Sequence, residues 1–314
     1  MIFAADTDIW RWQPHLEVWV VIAGAIFLAW YAVRVIGPHA VRPGEPVVTR
    51  KNKIAYVAGI AVLWISSDWP LHDISEEYLY SAHMIQHLLI SMIVPPLLLV
   101  AMPEWLARLI ISDQGRVGIW TRRMTHPVVA GSVFNLVVVF THLTVVVNTS
   151  AENGPFHYLV HLMVFMSALW MWTPVIGPIP EVRISPQGQI VYLFLMSVIP
   201  TVPSGFLTFA EGTLYEAYDH EVRLFGMSVA TDQQMAGLIM KLVGGFYLWG
   251  WIIHRFFQFS SSGRGDDAPI VESPRMGGPQ DGSGAGSGAD VDLTYDEVAK
   301  AFESSGPAPS ERTS

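Results

Sequence analysis

The feature that most restricts this chain is the recurrence of long apolar runs almost free of charge. Seven occur, at about residues 16–37, 54–71, 80–102, 128–148, 156–176, 189–210 and 232–256. A spanning helix needs about 20 largely apolar residues, so each run is long enough to cross a bilayer, the second only just. Hydrocarbon offers no partner to backbone N–H and C=O groups, and a single segment satisfies them internally only as a helix. The expected fold is therefore all-α: a polytopic membrane bundle of seven transmembrane helices over residues 1–257. Composition agrees, with 51% hydrophobic and 14% charged residues in 314.

The loops orient the bundle. Eleven Arg and Lys residues between Arg34 and Arg255 fall in one set of loops, whereas the other set holds only Arg11 and Arg223. The positive-inside rule then predicts an external N-terminus and a cytoplasmic C-terminus. "MIFAADTDIWRWQPH" lacks the basic start and apolar core of a cleavable signal, so the first helix is expected to direct its own insertion. Residues 258–314 are rich in Gly, Ser, Pro and Asp and carry a net charge of −6 of the chain's −9. They read as a disordered acidic tail, with helical spacing only at 291–302. Nothing in this charge distribution suits nucleic acid. There is no cysteine, hence no disulfide, thiolate site or thiol chemistry.

Histidine is distributed unevenly. His39, His126 and His254 fall on the basic side, and His15, His72, His83, His87, His142, His157, His161 and His220 on the other. His83/His87 and His157/His161 are both H-x-x-x-H, a spacing that puts two imidazoles on one helix face. Their helices run in the same direction, and the antiparallel fourth helix brings His142 to a matching depth. Five imidazoles thus surround one point. Either they hold a metal or cofactor, as costly intramembrane polar groups commonly do, or they only bond helices together.

Imidazole suits copper, zinc, iron and nickel, and a thioether leans toward Cu(I). Met84 is about 100° round the helix from His83; Met235, at the start of the last helix, is the better sulfur candidate. No H-E-x-x-H signature of a hydrolytic zinc site occurs. Asp232 or Thr231 would cap the last helix, Gln233 and Gln234 could support the site, and Lys241 pairs with a carbonyl or moves protons. Acidic residues including Asp68, Asp73, Glu76 and Glu77 form a rim on the histidine side that either gathers cations or is ordinary solvated surface. Other readings of the same residues are a b-type haem protein, a metal-free scaffold and, through Lys241, a transporter.

"SAHMIQHLLISMIVPPLLLVAMPEW" resembles the signature of the CtaG family of bacterial cytochrome c oxidase assembly factors. "FTHLTVVVN", "FHYLVHLMVFMSALWMW" and "TDQQMAGLIM" follow in that family's order, over roughly residues 15–257. The residues around His142 depart from the family pattern, which would have a Trp and a Pro there. The resemblance implies a multi-pass protein of the bacterial cell membrane with a non-catalytic role in building haem-copper oxidase. It also implies oxidase subunits as partners and copper, as Cu(I), held near the outer face by His83, His87, His142, His157 and His161.

Overall fold

The computed structural model describes residues 11–112, 115–219 and 223–262. His220 and the tail beyond Ser262, including the helix expected at 291–302, lie outside the described residues. Among those described, the regular structure is entirely helical. In chain order the helices are α1 (Leu16–Ala40), α2 (Arg50–Ser67), α3 (Leu71–Glu77), α4 (Tyr80–Ala101) and α5 (Glu104–Ser112). They continue with α6 (Arg116–Met124), α7 (Pro127–Thr141), α8 (Thr144–Glu152), α9 (Gly154–Ile176), α10 (Pro186–Thr208) and α11 (Val229–Ser262). Six segments are long and apolar enough to cross a membrane, α2 and α3 counting as one; α6 and α7, bent by 77°, make a seventh if taken together.

Four boundaries differ from the sequence expectation. The second span starts earlier, at Arg50, because Thr49 and Asn52 form a reciprocal capping box (Asn52 N–H to Thr49 Oγ1 3.2 Å, Thr49 N–H to Asn52 Oδ1 3.0 Å). It also ends at Ser67 and restarts as α3 after a break at Asp68, whose carboxylate accepts from Trp19 Nε1 at 2.9 Å, Trp64 Nε1 at 2.6 Å and Trp69 N–H at 2.9 Å. The fourth span was expected to continue to residue 148 but stops at Thr141. There the His142 ring occupies the carbonyl of Val138 at 2.7 Å, the acceptor its own N–H would use in an α-helix. The His142 N–H bonds Val139 instead, and the helix cannot propagate. The last helix continues through Ser262, past the boundary expected at residue 257.

α4 is central, packing against α2, α3, α9 and α11. Pro95 and Pro96, expected to bend it, follow a π-helical turn at Leu89–Ile93. Pro95 has no N–H for the carbonyl of Ser91. The buried Trp172 indole of α9 donates to that carbonyl at 3.1 Å, so the defect in one helix is repaired by its neighbour. Around Trp172 the main core gathers Phe134 of α7, Leu193 of α10, Leu248 of α11 and Leu99 of α4. In lipid, apolar burial between helices brings little gain over lipid contact, and close packing with interhelical hydrogen bonds supplies the cohesion.

Gly237 marks the closest approach of α10 and α11: a Cβ there would lie 2.5 Å from Thr208 Oγ1 and 2.7 Å from the Ser204 carbonyl. A Cβ at Gly245, on the same helix, would have nothing within 4 Å. Gly237→Ala is therefore expected to destabilise the protein by roughly 1–3 kcal/mol through overpacking, while Gly245→Ala is neutral or slightly stabilising. Thermal unfolding of the two variants in detergent, side by side, checks this.

Candidate metal centre

The site begins with how α4 is held at its N-terminus. Its first residue follows Leu79, which has no capping side chain. The cap comes from another helix: Asp232 of α11 accepts from the backbone N–H of Tyr80 at 2.6 Å and of Ser81 at 3.1 Å, and from the Ser81 hydroxyl. Asp232, expected with Thr231 as the alternative to cap α11, instead caps α4. Ser228 caps α11, its hydroxyl accepting from the Thr231 N–H at 3.1 Å. The first turn of α4, which leads directly into His83 and His87, is fixed to the start of α11 by a buried carboxylate.

Five predicted histidines come together. Ring centroids are 4.4 Å apart for His83–His87, 4.9 Å for His87–His161, 5.5 Å for His83–His161 and 4.2 Å for His157–His161. His142 lies at the edge, 6.5 Å from His87. Two subsets have ligand atoms within 4.8 Å of one another: His83, His87 and His161, and separately His72, Glu76 and His157. His72 and Glu76 were not among the expected ligands, although H-x-x-x-E at 72–76 repeats the spacing of the two H-x-x-x-H pairs.

The nitrogens of the first subset are left without partners. Buried His83 Nδ1, His87 Nε2, His161 Nε2 and His142 Nε2 make no hydrogen bond. His142 Nδ1 faces the Val138 carbonyl and must carry the proton, so Nε2 presents its lone pair. An orphaned buried nitrogen costs about 1–3 kcal/mol, and four in one cluster are positions for water or an ion to fill. The ligands in this subset are all uncharged, which suits a soft, low-charge ion better than a hard one.

The surroundings are aromatic and hydrogen-bonded. Tyr80 stacks on His83 with ring centroids 5.6 Å apart, and Tyr215 and Tyr218 lie 4.7 and 5.0 Å from Tyr80. Tyr215 donates to the His142 carbonyl at 2.8 Å. Gln233, fully buried, holds that loop through the Leu214 N–H at 2.9 Å and the Tyr215 carbonyl at 3.2 Å. It thus lies two contacts from the backbone of His142. Gln234 instead bonds the Ala210 carbonyl at 3.1 Å. Met235 is 41% exposed, whereas Met84 is buried and joins Met92, His87 and His142 around a cavity that extends to Lys241 between α4, α10 and α11. Met84 and Met92 of α4 thus share a cavity with His87 and His142, which Met235 does not line. The Lys241 ammonium meets the Thr201 hydroxyl.

Toward the rim, His15 lies 2.6 Å from Asp73 and 3.2 Å from Glu17, with its ring 4.5 Å from that of His72. Burial lowers the His15 pKa, but hydrogen bonds and charge from Asp73 and Glu17 more than offset this and leave it raised. The stabilisation from this clasp is complete below the ordinary value of 6.5 and is lost as pH rises through the raised folded value.

A bundle of membrane-spanning helices with a buried imidazole cluster at one end defines a polytopic membrane protein with a candidate metal site. The chain belongs to the family of cytochrome c oxidase caa3 assembly factors (Caa3_CtaG), which matches residues 29–262. It is thus a multi-pass protein of the bacterial cell membrane, and its family serves the assembly of cytochrome c oxidase. Neither curated proteins nor solved structures gave a match.

Proposed function

We propose that this chain carries Cu(I) as cargo at the outer face of the membrane and passes it to a haem-copper oxidase during assembly. The observation that carries this reading is the group of buried nitrogens without partners on His83, His87 and His161. Three neutral imidazoles match Cu(I) in softness and leave an incomplete coordination shell that an incoming ligand can exploit. His142, Met84 and Met92 line the cavity on the membrane side of this group and supply the next donors along a lateral path. The excess of Arg and Lys at the other end of the bundle supports an external histidine end and a cytoplasmic C-terminus. The work is ligand exchange, so the role is non-catalytic.

Haem fits less well. The cavity bounded by His83, His87 and His157 is about 10 Å³, far below the roughly 300–1,000 Å³ of ordinary small-molecule pockets. The chain should be deleted from its host and restored either intact or as His83→Ala/His87→Ala at equal abundance. The copper-to-haem ratio and activity of the purified oxidase are then measured. Copper delivery predicts that both fall without the chain and that the histidine variant fails to restore them. Full restoration by the variant would mean that the chain acts as a metal-free scaffold.

A further inference from the structure

We propose that His72, Glu76 and His157 form a second cation site, of mixed imidazole–carboxylate type, that takes a divalent first-row ion. It goes beyond the Cu(I) reading and stands without it.

Geometry and hydrogen bonding both support it. Glu76 Oε1 lies 2.6 Å from His157 Nε2 and 3.5 Å from His72 Nε2. An ion bound at about 2.0–2.2 Å from nitrogen and oxygen at near-tetrahedral angles holds its ligands about 3.3–3.6 Å apart; the Glu76–His72 pair already has this spacing, and the closer Glu76–His157 pair opens by about 1 Å to admit the ion. His72 and His157 are 3% and 4% exposed, while Glu76 is 36% exposed. The site is thus walled by protein on two sides and reached from the third. His157 Nδ1 faces the Ser150 hydroxyl at 3.3 Å, a partner that leaves Nε2 for the ion.

Gln86 holds the His72 ring. The Ser75 hydroxyl lies 2.7 Å from the His72 carbonyl and donates to Gln86 Oε1 at 2.8 Å, while Gln86 Nε2 lies 3.1 Å from His72 Nδ1. In this arrangement the amide donates to Nδ1, and the proton of a neutral His72 is on Nε2, facing Glu76. An ion takes the place of that proton: the imidazole proton moves to Nδ1 and the Gln86 amide turns so that its oxygen accepts from Nδ1–H. Gln86 is fully buried, and its place in this chain fixes the imidazole as a metal-ligating histidine is normally fixed.

A carboxylate distinguishes this site from the all-imidazole group beneath it. One negative charge offsets part of a divalent ion's charge, and a set of two nitrogens and one oxygen suits Co(II), Zn(II) or Cu(II). Such an ion ties α3 to α9. Without an ion, His157 and Glu76 make an ion pair, the alternative that the test must separate.

The probe is Co(II), titrated under anaerobic conditions into the purified, metal-free full chain in detergent and followed by its visible absorption. Wild type is expected to bind one Co(II) with bands of low coordination number. Glu76→Gln and His72→Asn are expected to weaken binding by roughly a hundredfold or more, since even losing an outer-shell partner costs 10–100-fold. Glu77→Gln, at the adjacent carboxylate, should not change it, and neither should His83→Ala/His87→Ala. Circular dichroism and elution volume matched to wild type establish that each variant is folded. Competition for Cu(I) with a colorimetric chelator is run on the same samples. Unchanged Co(II) binding in folded Glu76→Gln, or loss of Co(II) only in the His83/His87 variant, overturns the proposal. Loss of Cu(I) without loss of Co(II) in that same variant keeps the two readings separate.

Discussion

The purified chain loaded with Cu(I) under reducing conditions is expected to retain about one copper, and the His83→Ala/His87→Ala variant none. Two of the three converging nitrogens are then missing, and His161 alone cannot hold the ion. The same geometry predicts an opposite effect on the metal-free protein. His87 Nε2 is buried without a partner, and leucine fills a similar volume with no polar atom to leave unpaired. His87→Leu should therefore raise the thermal midpoint of the metal-free chain, with a gain of about 1–3 kcal/mol from the relieved nitrogen. Metal analysis on matched samples and thermal unfolding in detergent check the two halves. A histidine kept only to hold helices together would behave in reverse, its replacement lowering stability and leaving copper unaffected.

The second large effect is expected at Asp232, outside the ligand sets. Replacing it by alanine leaves the Tyr80 and Ser81 N–H groups and the Ser81 hydroxyl without their acceptor. Hydrogen bonds to a charged group are worth about 1.5–3 kcal/mol each, so Asp232→Ala should cost about 3 kcal/mol or more. It should also weaken Cu(I) binding, because the first turn of α4 sets where His83 points. Asp232→Asn keeps an acceptor and should recover part of both losses. Thermal unfolding and chelator competition on the three proteins measure this. Equal midpoints for Asp232→Ala and wild type would show that the cap contributes little.

Much of this was legible in the sequence, because hydropathy and i, i+4 spacing are local properties. The seven apolar runs and the two histidine pairs needed no tertiary information. His142 was expected at the level of the histidine pairs and its ring lies 6.5 Å from that of His87, but the sequence could not show that this ring would end the helix by taking the Val138 carbonyl. Asp232 read as a cap for its own helix because a cap is normally local; its bonds to residues about 150 positions earlier exist only in the fold. Likewise Met235 looked better placed than Met84 when only sequence position was considered, whereas in the fold Met84 lines a cavity with His87 and His142 and Met235 is 41% exposed. His72 and Glu76 share the same four-residue spacing, but Glu76 was read as part of an acidic rim and His72 only as one of eight histidines on that side.

The shared cap has an electrical consequence. Asp232 can reach Tyr80 only because α4 and α11 begin at the same end, and contacts of His157 and His161 with His83 put the start of α9 there too. Each helix start presents about half a positive charge from its aligned peptide dipoles. Tyr80 and Gly154 precede the histidines of their helices by one to two turns, so the three starts together form an electropositive collar on the rim side of the imidazoles. Asp232 neutralises part of it, and Asp73 and Glu76 lie beside it. A cation entering from the rim must pass this collar, and these carboxylates offset the repulsion that the helix ends would otherwise present.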